Sequence, residues 1–124
     1  MSNSNTKIRV KICGAITVES ARVCALAGAD LIGLNFYPPS PRSLQPDAAH
    51  AITSALRAEF GAKCPLFVGV FVNESAEDIA AIIASAGLDA AQLSGDEPVE
   101  TLRALHANGH AAIKALRPRD PDHA

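Results

Sequence analysis

Strand-length apolar runs alternate with helix-spaced segments along this chain, and that alternation limits the fold more than any other feature. Ile8 to Cys13 is a short, mostly apolar run bounded by Gly14, and it reads as a strand. A helical pattern begins at Thr17, the expected N-cap, with Val18, Ala21, Ala25 and Leu26 spaced for one buried face until Gly28 closes it. Asp30 to Phe36 is a second apolar run. It opens into YPPSPRSLQP, whose four prolines exclude a regular element there. Asp47 to Phe60 restores helical spacing, and Leu66 to Val72, rich in Val and Phe, predicts a central strand covered on both faces. Ser75 with Asp78 three positions on has the form of a capping box before a helix that ends at Gly87. Residues 88–95 predict a fourth strand, 96–109 a fourth helix with Pro98 in its first turn, and 110–116 a fifth strand.

Four strand-helix units and one further strand predict right-handed crossovers and a parallel sheet covered by helices, an α/β architecture. The pattern alone admits both a doubly wound sheet and a barrel. With 124 residues, 48% of them apolar, the chain fits one domain with a real core. A formal charge of -2 leaves no electrostatic footprint for nucleic acid, and 4% aromatic residues leave no stacking platform. No window approaches the roughly 18 continuous apolar residues of a membrane span, so neither nucleic acid nor membrane is expected as a partner. Residues 1–6 read as a polar, flexible leader without secretory order, which predicts a cytoplasmic location, and residues 118–124 read as a loop or tail. Cys13, Cys24 and Cys64 lack CxxC spacing and fit neither a disulfide framework nor a zinc site, so reduced thiols are expected.

The phrases KICG, AGADLIGLNFYPPSPR, GVFVNES, AAQLSGDEP and IKALRPR occur in the order and near the spacing found in the phosphoribosylanthranilate isomerase family. The chain resembles that family from about Lys7 to Arg117. The resemblance implies a parallel (βα)8 TIM barrel, with active-site groups at the C-terminal ends of the strands. Residues 7–117 would then be the N-terminal part of such a barrel, covering about its first four βα units plus strand five. The family's general acid, an aspartate ending the sixth strand, and its phosphate-holding loops after strands seven and eight have no counterpart in these residues. Asp120 and Asp122 follow strand five and do not match the acid motif.

The family reaction is an Amadori rearrangement of N-(5-phosphoribosyl)anthranilate in tryptophan biosynthesis, and it needs neither cofactor nor metal. By resemblance Cys13 is the general base, acting as a thiolate, which a positive neighbour favours. Lys11 is the candidate neighbour and a candidate substrate contact, because positions i and i+2 of a strand share a face. Gly14 lets backbone approach the substrate. Arg42, in SPRS, matches the family arginine that meets the anthranilate carboxylate, a task its donor fork suits. Gln92, in QLSG, offers an amide toward the substrate. Ser94 stands where the commonest family form has histidine, so that histidine's role does not transfer. Asn73 and Lys114 lie near strand ends and are assigned structural roles, and Cys24 and Cys64 are read as small buried fillers. The chain alone is expected to be incomplete and inactive. The alternative is a half-barrel module that self-associates or pairs with a complementing C-terminal half through its exposed edges.

Overall fold

The computed structural model describes residues 9–115, which form five strands and four α-helices in strict alternation. In order they are β1 (Lys11–Cys13), α1 (Val18–Leu26), β2 (Leu31–Asn35), α2 (Pro46–Phe60), β3 (Leu66–Phe71), α3 (Ala76–Ala86), β4 (Ala90–Leu93), α4 (Val99–Ala107) and β5 (Ala111–Lys114). The expected leader over 1–6, the tail over 118–124, Asp120 and Asp122 lie outside the described residues.

Every neighbouring pair of strands is parallel, and the sheet order is β1-β2-β3-β4-β5. Sequential order decides between the two architectures left open by the alternation. When each right-handed crossover steps to the next strand in the same direction, every helix falls on the same side of the sheet. Helices α1 to α4 pack in series on that side, as the wall of a (βα)8 barrel does. A doubly wound sheet would reverse its order and carry helices on both faces.

Between sheet and helices lies the core. Ile32, Leu34, Phe67, Phe71 and Leu93 from the strands meet Ile52, Leu56, Ile79 and Leu105 from the helices, all essentially inaccessible to solvent. Each such side chain contributes roughly 2 kcal/mol on burial. Phe36 stacks on Phe71 with ring centroids 5.3 Å apart. The buried Thr53 hydroxyl donates to the carbonyl of Ala86 at 2.8 Å and ties α2 to the end of α3.

Several helix and strand limits follow the local chemistry. Thr17 and Ser20 form a reciprocal capping box at α1, whereas at α3 Ser75 accepts from the Asp78 amide without the return bond. Gly87 closes α3 in the left-handed conformation, φ +74°. Pro46 was expected in a loop but opens α2, where its missing N–H is no loss, and Pro98 caps α4 rather than entering its first turn. The regular part of β1 starts at Lys11, and β4 and β5 are each shorter than the apolar runs that signal them.

Two packing expectations need correction. In α1, Ala21 is buried, but Val18 and Leu26 are 37% and 62% exposed, because among the described residues only α2 flanks that helix. In β3, Phe67 and Phe71 are covered by helices, but the opposite face is open at Leu66, 47% exposed. Val68 on that same face is buried, so among the described residues the strand is central with its inner face covered in part.

Candidate active site

In a parallel, sequentially ordered sheet the C-terminal strand ends share one rim, and the loops after the strands gather there. Cys13 is the last residue of β1 and its thiol is exposed. Register places it opposite Gly33 of β2, on the face turned away from the helices, and Gly14 N–H donates to the Gly33 carbonyl at 3.1 Å. A Cβ built on Gly33 would lie 2.7 Å from Cys13 Sγ and 3.3 Å from Lys11 Cε. The bare glycine therefore makes the space in which both side chains lie.

Lys11 and Gln92, two of the expected substrate contacts, bond to one another: the Lys11 ammonium donates to Gln92 Oε1. Their strands β1 and β4 are not neighbours in the sheet, so the bond spans the concave interior. Gln92 Nε2 donates in turn to Ser94 Oγ at 3.1 Å. The Lys11 stem accompanies Cys13 over Gly33 while its charged head is held by an amide on the opposite wall.

Arg42 arrives from the proline-rich loop. Leu44 N–H donates to the Asn35 carbonyl at 2.8 Å, Ser43 N–H to the Ser40 carbonyl at 3.1 Å, and Arg42 N–H to Ser40 Oγ at 3.2 Å. These bonds fold the loop back along the end of β2. The Arg42 side chain then lies over Gly14, where a Cβ would come within 2.6 Å of Nη1. Gly14 has φ +90°, a conformation that glycine adopts without strain. Among the described residues no carboxylate pairs with the Arg42 guanidinium.

The loop after β4 carries a residue the sequence did not single out. Glu97 has a side chain only 1% exposed, and it accepts from Asn73 N–H at 2.7 Å, from Gly95 N–H at 3.0 Å and from Lys114 Nζ at 2.8 Å. Burial pushes its carboxyl upward, but the Lys114 ammonium and the backbone amides outweigh that and hold it below the usual carboxylate range. Asn73 Oδ1 accepts from Asp96 N–H at 2.8 Å. Asn73 and Lys114 thus have the structural partners expected of them. Together with Asn35, Tyr37 and Ser94 they line a cleft of about 740 Å3 at the rim. A second hollow of about 410 Å3, between the β2–α2 loop and α3, has Glu74 and Asp78 on its wall, and neither hollow is lined by Cys13, Lys11, Arg42 or Gln92.

Cys24 and Cys64 are partly buried and pack against the core. Burial pushes the Cys64 thiol up, with Arg57 opposing the shift. Among the described residues no group of three or more His, Cys, Asp and Glu is placed to hold a metal ion. No helix among them is long and apolar enough to cross a membrane.

Three comparisons place this geometry among known proteins. The profile of the N-(5'-phosphoribosyl)anthranilate (PRA) isomerase family matches residues 10–123. The N-(5'-phosphoribosyl)anthranilate isomerase of Rubrobacter xylanophilus is 44% identical over 112 residues, 90% of this chain and 52% of the relative. A crystal structure of phosphoribosyl anthranilate isomerase in complex with reduced 1-(o-carboxyphenylamino)-1-deoxyribulose 5-phosphate superposes with a TM-score of 0.83. That match has 37% identity and covers 94% of this chain and 57% of the other. The Thermotoga maritima enzyme of the same name superposes with a TM-score of 0.78 at 39% identity, over 87% of this chain and 50% of that one. The chain spans about half the length of the curated relatives it matches.

Proposed function

Because this chain belongs to the phosphoribosylanthranilate isomerase family, we propose that it supplies the base-bearing half of an isomerase that rearranges N-(5-phosphoribosyl)anthranilate to the carboxyphenylamino-deoxyribulose phosphate. The observation that carries this reading is the convergence of three side chains at one strand end: Cys13 and Lys11 over Gly33, and Arg42 over Gly14. A base, a cation and an exposed guanidinium free of carboxylate partners among the described residues are the groups that one face of this reaction needs.

In the proposed reaction an acid protonates the ribose ring oxygen, and the ring opens to a protonated Schiff base. The C2 proton passes to the Cys13 thiolate, and the electron pair left behind forms the C1–C2 double bond of an enolamine, which tautomerises to the ketone. The iminium carries the charge that makes C2–H acidic, so the chemistry proceeds with a base and an acid and no cofactor. Arg42 receives the anthranilate carboxylate through a two-donor fork. Gln92 and Lys11, already bonded to one another, form the floor beneath the sugar. The acid and the phosphate site come from strands six to eight of a C-terminal half, which also covers the inner-face side chains left open here, Leu66 at 47% and Ile113 at 59% exposure.

Those same open side chains favour a second reading, in which the half-barrel pairs with another copy of itself through β1 and β5, the sheet edges left unpaired among the described residues. One experiment addresses both. Turnover of phosphoribosylanthranilate is followed by fluorescence with the chain alone and with a separately expressed C-terminal half of the Rubrobacter relative, sedimentation being recorded in each case. Turnover confined to the mixture, and abolished in Cys13→Ala, is the expected result. Halves that co-sediment without turnover would overturn the isomerase reading, and a stable homodimer that excludes the added half would favour the second.

A further inference from the structure

At the rim the ladder hydrogen bonds run out, with Ser94 N–H to the Phe71 carbonyl and Ala115 N–H to the Leu93 carbonyl among the last of them, so beyond that point side chains can fasten one loop to the next. One carboxylate does this between the loops after β3 and β4 and the last residue of β5. Glu97 Oε2 accepts from the Asn73 amide at 2.7 Å and the Gly95 amide at 3.1 Å, and Oε1 from the Gly95 amide at 3.0 Å and from Lys114 Nζ at 2.8 Å. Lys114 Nζ also donates to the Gly95 carbonyl. The local backbone is shaped for the arrangement. Asn73 sits at φ +55°, a left-handed conformation uncommon for residues other than glycine, and a Cβ on Gly95 would lie 2.6 Å from Asn73 Oδ1. Asn73, Gly95 and Lys114 all line the 740 Å3 cleft.

Among the described residues two of the three ammonium N–H groups of Lys114 are taken, and its charge is neutralised at contact distance by Glu97. What remains is one oriented donor with little net charge. Such a donor suits a neutral hydroxyl better than a phosphate, for which an unpaired cation would be the stronger partner. We propose that Glu97 is a positioning residue, holding Lys114 so that its remaining N–H meets a ribose hydroxyl of the phosphosugar in the rim cleft. This rests on the isomerase reading above.

The test compares Glu97→Gln, Lys114→Met and the double variant in the mixture with the C-terminal half. It also follows amide hydrogen exchange at Asn73 and Gly95 in the chain itself. If Glu97 acts through Lys114, each single variant raises KM about tenfold with kcat within about threefold, and the double variant is no worse than either single. A role confined to stability would move the melting temperature and leave KM unchanged. Unchanged KM in folded variants, or single effects that multiply in the double, would overturn the proposal. If Glu97→Gln does not fold, Glu97→Asp, too short to span the same three partners, takes its place in the comparison. A wild-type mixture that assembles without turnover would sink the isomerase reading, and exchange then decides whether Glu97 fastens the rim. Roughly tenfold faster exchange of the Asn73 and Gly95 amides in Glu97→Gln, with Ile32 and Phe67 unaffected, supports that role, and unchanged exchange overturns it.

Discussion

The sulfur of Cys13 lies in the space that a side chain on Gly33 would need, 2.7 Å from where a Cβ would stand. Parallel register places the two residues opposite one another on β1 and β2, and β1 ends at that point. Thiol placement is therefore set by an absence of side chain on the neighbouring strand. Lys11 shares the same space, its Cε 3.3 Å from that Cβ position, so thiol and lysine stem are brought together by one glycine.

Replacing Gly33 by alanine should test that placement. The added methyl cannot coexist with the sulfur at 2.7 Å, and the thiol is the group with room to move, toward the open interior. A displacement of about 1 Å in a proton-transfer geometry costs on the order of 100-fold in rate, and overpacking costs about 1–3 kcal/mol. In the reconstituted mixture the expected result is a fall of roughly 100-fold in kcat with the chain still folded. Retention of full kcat by a folded Gly33→Ala protein would show that Cys13 does not depend on this space.

Arg42 lies against Gly14, and among the described residues no carboxylate competes for its guanidinium. Substitution by lysine keeps the charge and removes the planar fork. If the group meets a carboxylate with two parallel donors, Arg42→Lys should raise KM by about tenfold, a loss of roughly 1.4 kcal/mol, while the melting temperature stays put. Steady-state kinetics on the mixture would read this directly, and an unchanged KM would remove Arg42 from the binding site.

Most of the fold was legible because the strand-helix alternation repeats, and because Gly14, Gly28, Gly87 and Gly109 punctuate it where positive φ is needed. Cys13 and Arg42 were found through short phrases that resemble a known family, and folding brings both to one strand end. What escaped was relational. Glu97 reads as an ordinary acidic residue before a proline, and its importance appears only when residues 24 positions upstream and 17 downstream reach it. Gly33 inside an apolar run gives no sign that a thiol 20 residues earlier will lie against it. The open faces of α1 and β3 could not be inferred from periodicity, which marks a face as apolar without saying what covers it.

Cys13 and Cys64 should separate in their reaction with iodoacetamide. Cys13 is exposed at the rim, whereas Cys64 is partly buried, and burial pushes its thiol above the ordinary value of 9.0, leaving less thiolate near neutrality. Mass spectrometry of the folded chain at about pH 7.5 should find Cys13 modified first, with Cys64 at least about tenfold slower and catching up only as the pH rises past about 9. Faster modification of Cys64 would contradict the packing described for it.

Acid should weaken the rim through Glu97. Its folded pKa is lowered: burial raises it, but Lys114 and the amides of Asn73 and Gly95 more than offset that. Above the ordinary value of 4.5 the carboxylate is charged in both folded and unfolded chains, and the full stabilisation is present. As pH falls below that value the unfolded chain takes up the proton first, and the contribution is lost progressively until the folded carboxyl is protonated too. Glu97→Gln strands the Lys114 ammonium beside a neutral amide, so at neutral pH it should cost roughly 3 kcal/mol. It should also lose less stability than the wild type as the pH falls below about 4.5, because the group that titrates there is gone. Urea unfolding at a series of pH values measures both effects in the chain as it stands. Equal acid sensitivity in the two proteins would mean that another carboxylate, and not Glu97, carries the acid response.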